Sequence, residues 1–304
     1  MPDNLLHLNG AGQFRILCIS DIHAGIGYNE ALTAAYLKIL LKKTNPDLVL
    51  MLGDIAGPGE IHIENTVQLR KMLTSLTAPI ESKKIPWASV FGNHDDNFGV
   101  SNEEAQKIYD EFPLCLSKAG PEEFRGSGTY TLTVFDRNGT KPVFNIYAFD
   151  SHGSDLNPKS GVDFNQVKWY YSVSEKLEKE QNGVLPALAV MHIPLTEMGE
   201  ASLSPEENGL TGEFGEKVSC NSLNNGLFRA CLERGDIKYF CFGHDHSNNF
   251  TLNYKGISLS FDGYLSAHAC HNVRQLGGRL YELSENLDGT VSVRHKFVPV
   301  LLRK

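Results

Sequence analysis

The stretch Leu48-Val49-Leu50-Met51-Leu52-Gly53-Asp54 decides the fold: five apolar residues run without a break into Gly-Asp. An uninterrupted apolar run of this length predicts a strand that is buried on both faces. Pro46 and Asp47 precede the run and end a helix predicted over residues 29–43, for which Asn29 is a plausible N-cap. Asp54 is therefore expected where a buried strand gives way to a loop.

Four further polar motifs also follow predicted strands. The apolar runs that precede them cover residues 14–20, 87–91, 187–191 and 237–242. The motifs are Asp21-Ile22-His23, Gly92-Asn93-His94-Asp95, His192 and Gly243-His244-Asp245-His246. In the first half of the chain, helices predicted over residues 29–43 and 63–76 separate the strands. This alternation predicts a mainly parallel sheet covered on both faces, with ligands bound beyond the carboxyl ends of its strands.

The second half contains more strand. Residues 130–135 and 143–149 predict a hairpin, and residues 163–179 predict a helix. Further strands are predicted over residues 250–252, 257–261, 279–283 and 291–298. The segments 113–128 and 196–219 are predicted to be loop-rich, and loops of that length inside a compact domain are usually functional or mobile.

The five motifs combine the side chains that two hard cations require. A carboxylate between two ions roughly 3.5–4 Å apart offsets their repulsion, and such a pair can clamp the attacking and leaving oxygens at phosphorus. Imidazole and carboxylate ligands suit zinc, iron and manganese, and no cysteine falls in any motif. The motifs together predict a two-metal hydrolase that acts on a phosphate ester.

Composition limits the partners and the compartment. The chain has 304 residues, 41% of them hydrophobic, and a formal net charge of -8. Because the motifs extend from residue 21 to residue 246, we predict one catalytic domain over residues 1–304.

Without a lysine- or arginine-rich run, a nucleic-acid backbone is not expected as partner, whereas a phosphorylated small molecule or phosphoprotein is. No apolar stretch reaches the ~18 residues of a membrane span and the start lacks a secretion signal, so we expect a cytoplasmic protein without membrane association.

The order D-x-H, G-D, G-N-H-D, H, G-H-x-H resembles the calcineurin-like metallophosphoesterase superfamily over most of the chain. Within it, the purple-acid-phosphatase-related branch of yeast, plants and bacteria is the most similar. The run from Asn224-Asn225-Gly226-Leu227-Phe228 through Gly243-His244-Asp245-His246 to Phe250 carries this narrower resemblance. It implies an α/β fold, a four-layer α/β-β/α sandwich in which two mixed sheets are flanked by helices.

The resemblance also implies roles for individual side chains. The ligands of one metal would be Asp21, His23, Asp54 and His246. Those of the other would be Asp54, Asn93, His192 and His244, so that Asp54 bridges. The implied catalytic residues are His94, which would contact the phosphoryl group, Asp95, which would orient His94, and Asn93.

One position departs from true purple acid phosphatases. They carry a metal-binding tyrosine three residues after the bridging aspartate, where this chain has Gly57. His23 would fill that coordination place, so the tyrosinate-to-iron colour should be absent. Two ions are expected, with manganese, zinc or iron as candidates.

We predict hydrolysis of phosphomonoesters by in-line attack of a metal-bridging hydroxide, with a protonated His94 either stabilising the transition state or protonating the leaving alkoxide. A phosphodiesterase would use the same ligands, and a non-catalytic metal-bound scaffold is a further alternative. Residues 262–276 are a candidate substrate rim, with Arg274 and His271 as contacts; the alternative, which the composition favours, is a surface loop with incidental histidines. His7, His62, His152 and His295 are interpreted as ordinary histidines outside the site.

Overall fold

The computed structural model describes residues 6–24, 30–57, 63–96, 99–153, 160–267 and 272–301. The predicted N-cap Asn29 lies outside these ranges. The elements are, in chain order, β1 Leu6–His7, β2 Gln13–Ile19, α1 Glu30–Thr44, β3 Leu48–Leu52, α2 Thr66–Glu81, β4 Trp87–Val90, α3 Asn102–Tyr109, β5 Tyr130–Phe135, β6 Pro142–Ala148, α4 Phe164–Gln181, β7 Ala187–Met191, α5 Thr196–Ala201, α6 Leu227–Arg234, β8 Ile237–Phe242, β9 Thr251–Tyr254, β10 Ile257–Phe261, β11 Gly277–Glu285 and β12 Val291–Pro299.

Two mixed sheets contain all of these strands. One has seven strands in the order β1-β5-β6-β7-β8-β10-β9, and the other has five in the order β12-β11-β2-β3-β4. Strands β2, β3 and β4 are parallel neighbours, while β11 and β12 are antiparallel additions. In the larger sheet β6, β7, β8 and β10 are parallel neighbours. Parallel strands end at one edge, so each sheet presents a row of carboxyl ends.

Three buried clusters show how the layers stack. The strand β3 alternates, with Val49 and Met51 in a cluster with α1 and α2, and Leu48, Leu50 and Leu52 in a second cluster with Leu188 and Val190 of β7. A third cluster joins the other face of β7 and β8 to α4 and α6. Because a strand's side chains alternate between faces, the second cluster lies between the sheets. The layers are therefore helix, sheet, sheet and helix, which confirms the implied four-layer fold.

Several predicted bounds agree with the structure and others do not. The strands β3, β5, β7, β8 and β10 begin and end where the sequence predicts. The prediction missed α3 and α6, which have only eight residues each, and α5 at the start of the segment 196–219. Such helices are too short for a clear period of apolar residues. A reciprocal capping box between Ser101 and Glu104 marks the start of α3.

Within the described part of the chain, no helix is both long and apolar enough to cross a membrane.

Candidate metal centre

The five polar motifs meet where the carboxyl ends of the two sheets face each other. Two groups of side chains each bring one ligand atom per residue within 4.8 Å of one another. The first group is Asp21, His23 and His246, and the second is Asp54, His192 and His244. Each group combines residues from both sheets, so the centre exists only when the sandwich is assembled.

Asp54 belongs to the second group and also faces the first. Its Oδ2 is 3.2 Å from His192 Nε2 and 3.8 Å from His23 Nε2. Its other oxygen, Oδ1, accepts the backbone N–H of His94 at 2.9 Å. A single carboxylate oxygen therefore faces both groups while the second oxygen fixes the direction of the side chain.

Asp21 is held in a similar way. Its Oδ1 lies 3.1 Å from His246 Nε2, which is itself 3.1 Å from His23 Nε2. Its Oδ2 accepts the backbone N–H of His244 at 2.9 Å and the hydroxyl of Ser20. The hydrogen bonds on Oδ2 turn Oδ1 toward the two imidazoles.

The hydrogen bond of His192 determines which ring nitrogen could bind a cation. Nδ1 lies 2.8 Å from the carbonyl oxygen of Leu52, which can only accept, so Nδ1 carries the hydrogen. In the neutral ring Nε2 then has a lone pair, and it points at Asp54 Oδ2 and at Asn93 Oδ1, the latter at 3.2 Å. A backbone carbonyl commonly fixes the tautomer of a metal-binding histidine in this manner.

The pKa values of the side chains in the two groups indicate that the site favours a bound cation. Burial alone would lower the pKa of His192, but the carboxylates of Asp54 and Asp21 raise it to about 10, so this position favours positive charge. Burial would raise the pKa of Asp21, yet His192, His246 and His23 hold it well below its usual range. Burial lowers the pKa of His244 to about 4, so that ring is neutral and can act as a ligand. Among the described residues, the buried Nδ1 of His23 has no hydrogen-bond partner. The donor set thus suits metal ions.

The backbone is strained at four of these residues. Asp21, His23, Asp54 and His244 adopt positive φ angles of 52°, 49°, 49° and 76°. Non-glycine residues seldom occupy this region, which costs of order 1–3 kcal/mol each and persists only where the surroundings impose it. The strain lets two side chains from one strand end, Asp21 and His23, turn toward the same point.

The buried carboxylate of Asp95 accepts four backbone N–H groups. Its Oδ2 accepts the N–H groups of Asp54 at 2.9 Å and Gly92 at 2.7 Å. Its Oδ1 accepts those of Ile55 and Ala56, both at 2.9 Å. Through these four hydrogen bonds Asp95 fixes the loop that carries Asp54. Its implied role in orienting the His94 imidazole stays a prediction.

The glycine at position 57 is explained by its neighbour. A Cβ added to Gly57 would lie 2.5 Å from His23 Cβ and 2.5 Å from His23 Nδ1. Any larger side chain at position 57 would displace the His23 ring. A tyrosine at position 57 and a metal-binding histidine at position 23 would therefore compete for the same space. This agrees with the sequence analysis, in which Gly57 stands where purple acid phosphatases carry their metal-binding tyrosine.

Of the two predicted substrate contacts, Arg274 lies in the described part of the chain and belongs to neither group. Arg274 is exposed and lines a cavity of about 1050 Å³ whose described wall contains no residue of either group. Its role as a substrate contact stays a prediction. His271 and His62 lie outside the described residues. His295 is half-buried, and its Nδ1 lies 3.2 Å from Arg279 Nη1. It fits the interpretation of an ordinary histidine.

The sequence analysis missed a sixth polar motif. Asp150-Ser151-His152 follows β6, which is a parallel neighbour of β7. The side chain of His152 is 7% exposed, its Nδ1 lies 3.2 Å from Asp150 Oδ2, and its φ is 56°. It is therefore not a solvated surface histidine. Its position just after the apolar run 146–149 was the available signal, and the same kind of signal marked the other motifs.

Three comparisons relate this chain to known proteins. It is 29% identical over 300 residues to "Probable inactive purple acid phosphatase 14" of Arabidopsis thaliana, covering 86% of this chain and 73% of that one. It is 30% identical over 273 residues to "Phosphatase DCR2" of Saccharomyces cerevisiae, covering 79% of this chain and 45% of that one. A dimetal phosphatase from Danio rerio has the same fold, with a TM-score of 0.56, 13% identity and coverage of 89% and 92% of the two chains.

The purple-acid-phosphatase resemblance predicted from the sequence is thus confirmed. The profile of the calcineurin-like phosphoesterase family matches residues 14–248, which contain all five motifs. The chain belongs to the calcineurin-like phosphoesterase family, as this match shows and as the fold and the metal-ligand side chains agree.

Proposed function

We propose that this protein hydrolyses phosphomonoesters at a centre that holds two metal ions. One ion would be held by Asp21, His23, Asp54 and His246, and the other by Asp54, Asn93, His192 and His244. The observation that carries this proposal is the position of Asp54 Oδ2, 3.2 Å from His192 Nε2 and 3.8 Å from His23 Nε2. An anionic oxygen so placed can reduce the repulsion between two neighbouring cations.

The ions, when bound, supply a water activated near neutral pH and a positive field for the phosphoryl oxygens. Their identity is proposed from the donor set, which suits manganese, zinc or iron. Asp21 and Asp54 contribute negative charge, and the neutral His244 contributes a lone pair. The hydrogen bonds on Asp21 Oδ2, Asp54 Oδ1 and His192 Nδ1 keep the opposite atoms aimed inward.

His94 is our candidate for the general acid. Its ring centroid lies 5.5 Å from that of His23, and its backbone N–H is bonded to Asp54. These contacts place an imidazole beside the centre without making it part of either ligand group. Protonation of the leaving alkoxide from this position would contribute typically about 10²–10⁴-fold to the rate.

The test is turnover of a monoester and a diester by protein loaded with manganese, zinc or iron, using p-nitrophenyl phosphate and bis-p-nitrophenyl phosphate. We expect the monoester to react faster with at least one metal, and chelation to abolish the reaction. Faster turnover of the diester would favour the phosphodiesterase alternative. Retention of two ions without turnover of either ester would favour the non-catalytic scaffold.

A further inference from the structure

A second feature lies directly beside the candidate metal centre. A cavity of about 360 Å³ begins at Gly92, the first residue of the Gly-Asn-His-Asp motif. Its polar wall includes Asp96, Asn102, Glu103, Arg125, Asp150 and His152, and we call it the polar cavity. A Cβ on Gly92 would lie 2.2 Å from Asp54 Oδ1, so the cavity adjoins the loop of the bridging candidate.

Hydrogen bonds hold Asp150 and His152 in fixed positions in the wall of the polar cavity. Asp150 accepts the backbone N–H groups of His152 at 2.8 Å and Ser127 at 3.1 Å, and its Oδ2 lies 3.2 Å from His152 Nδ1. A Cβ on Gly126 would lie 2.1 Å from Asp150 Oδ2, so only glycine permits this approach. Since the Asp150 carboxylate favours the hydrogen on Nδ1, the neutral His152 ring has its lone pair on Nε2.

Two residues of this wall have buried acceptor atoms without partners. Among the described residues, neither His152 Nε2 nor Asn102 Oδ1 has a hydrogen-bond partner. Among the described acids, Asp163 has its Oδ2 3.9 Å from His152 Nε2, beyond hydrogen-bond distance. Buried polar atoms are seldom left unpaired because the loss of water costs free energy. A ligand that donates hydrogen bonds would satisfy both.

The charges of the wall indicate which ligands do not fit. Asp96 and Glu103 add carboxylates near Asp150, and the pKa of Asp96 is raised by burial and then by the charges of Asp150 and Glu103. A second anionic group on the ligand would meet these carboxylates. The described wall contains no Phe, Tyr or Trp, and Val100 is its one large apolar side chain, so a large aromatic leaving group would find little apolar surface there.

We propose that the polar cavity binds the leaving group of the substrate and selects compact, polyhydroxylated phosphate monoesters, such as a hexose phosphate. Hydroxyl groups can donate to Asn102, His152 and the carboxylates and can accept from Arg125. The volume is at the lower end of the ~300–1,000 Å³ typical of ligand pockets, which suits a compact group. This inference rests on the proposed phosphomonoesterase function.

The test compares the catalytic efficiency, kcat/KM, of the metal-loaded protein for four monoesters. They are p-nitrophenyl phosphate, glucose 6-phosphate, ethanolamine phosphate and phosphotyrosine. The variant Asn102→Leu removes a wall acceptor at similar volume, and Glu103→Gln removes a wall charge. The matched control is Glu104→Gln, because Glu104 lies on the same helix outside the cavity wall and glutamine preserves its capping bond to Ser101.

We expect glucose 6-phosphate to exceed phosphotyrosine, whose leaving group is large, aromatic and carries a carboxylate, by about tenfold or more in kcat/KM. A preference for ethanolamine phosphate would show that the wall carboxylates select a cation and would overturn the inference. Asn102→Leu and Glu103→Gln should each lower the ratio of glucose 6-phosphate to p-nitrophenyl phosphate efficiency by about fivefold or more, mainly through KM, and Glu104→Gln should leave the ratio unchanged. If p-nitrophenyl phosphate is hydrolysed but the hexose ester is not preferred, or the ratio is unaltered in both wall variants, the cavity inference fails and the proposed function stands. No turnover of any monoester would overturn both.

Discussion

The Asp95 carboxylate accepts the backbone N–H of Asp54 at 2.9 Å, so the last residue of the Gly-Asn-His-Asp motif holds the loop of the bridging candidate. The same carboxylate also accepts the N–H groups of Gly92, Ile55 and Ala56. One buried side chain thereby joins the loops that follow β3 and β4. The geometry of the centre depends on this junction as much as on the ligands.

Replacing Asp95 by Asn should therefore weaken the fold as well as the centre. The amide has one acceptor oxygen, so two of the four N–H groups would face its NH2 group and lose their partner. Each unsatisfied buried donor costs about 1–3 kcal/mol, so two of them predict a loss of about 2–6 kcal/mol in the free energy of unfolding. Urea denaturation at pH 8 in a chelator measures this independently of metal. The exposed Asp110→Asn should change stability by less than about 0.5 kcal/mol, and equal losses in the two variants would contradict the role of Asp95.

Asp54→Asn tests the bridging role. The substitution keeps the shape of the side chain and removes the charge that would stand between two cations. We expect at least one metal ion to be lost and turnover to fall nearly to background, because the remaining neutral oxygen offsets repulsion poorly. Elemental analysis after gel filtration measures the metal content. Two tightly retained ions in the variant would refute the bridge.

His94→Ala should separate catalysis from metal binding. The bond to Asp54 Oδ1 comes from the backbone N–H of residue 94, so alanine preserves it. Both ions should remain bound while turnover falls by about 10²–10⁴-fold. If His94 is a general acid, phenyl phosphate should be affected more than p-nitrophenyl phosphate, whose leaving group needs no proton. Equal losses for the two esters would instead indicate positioning or electrostatic stabilisation.

His295 should make the protein less stable in mild acid. Burial, and then the Arg279 charge, lower its pKa to about 4 in the folded state, against 6.5 for the ordinary residue. Between pH 6.5 and pH 4 the unfolded chain binds the proton more readily, so this contribution to stability is lost as the pH falls. The full loss is about 3 kcal/mol.

His295→Gln is the matched variant for that measurement. Glutamine can accept from Arg279 and donate to Ser258, which both lie within hydrogen-bond distance of the imidazole, but it does not titrate. Chemical denaturation of both proteins in a chelator at pH 6.5 and pH 4.5 should show a shallower decline for the variant. Parallel declines would show that His295 is not the group responsible.

The run of residues 224–250, which carries the resemblance to the purple-acid-phosphatase-related branch, contributes to packing as well as to the candidate metal centre. Asp236 accepts the hydroxyls of Tyr147 at 2.8 Å, Ser174 at 2.7 Å and Tyr170. Arg234 donates to Ser174 at 2.9 Å and also contacts Glu178. These contacts join α4 to the start of β8, the strand that leads to His244 and His246. The residues around the motif thus position the strand that delivers it.

The sequence by itself determined the buried strands and the polar residues at their ends. Apolar runs such as Leu48–Leu52 specify strands locally, and the residue after each run must emerge at the sheet edge. The family resemblance further implied the order of the layers. The single-domain prediction over residues 1–304 stays a prediction.

Only the tertiary structure decided what those polar residues contact. Asp95 and His94 are adjacent in sequence, yet Asp95 bonds to four amides from two loops, and no local pattern encodes a contact between separate strand ends. His152 was interpreted as ordinary until β6 was placed beside β7, which brought it to the edge that carries His192. Strand formation depends on neighbouring residues, whereas a site at the meeting of two sheets depends on pairings between residues far apart in the chain. For that reason the sequence predicted which side chains could form the centre, and the packed sandwich determined their arrangement.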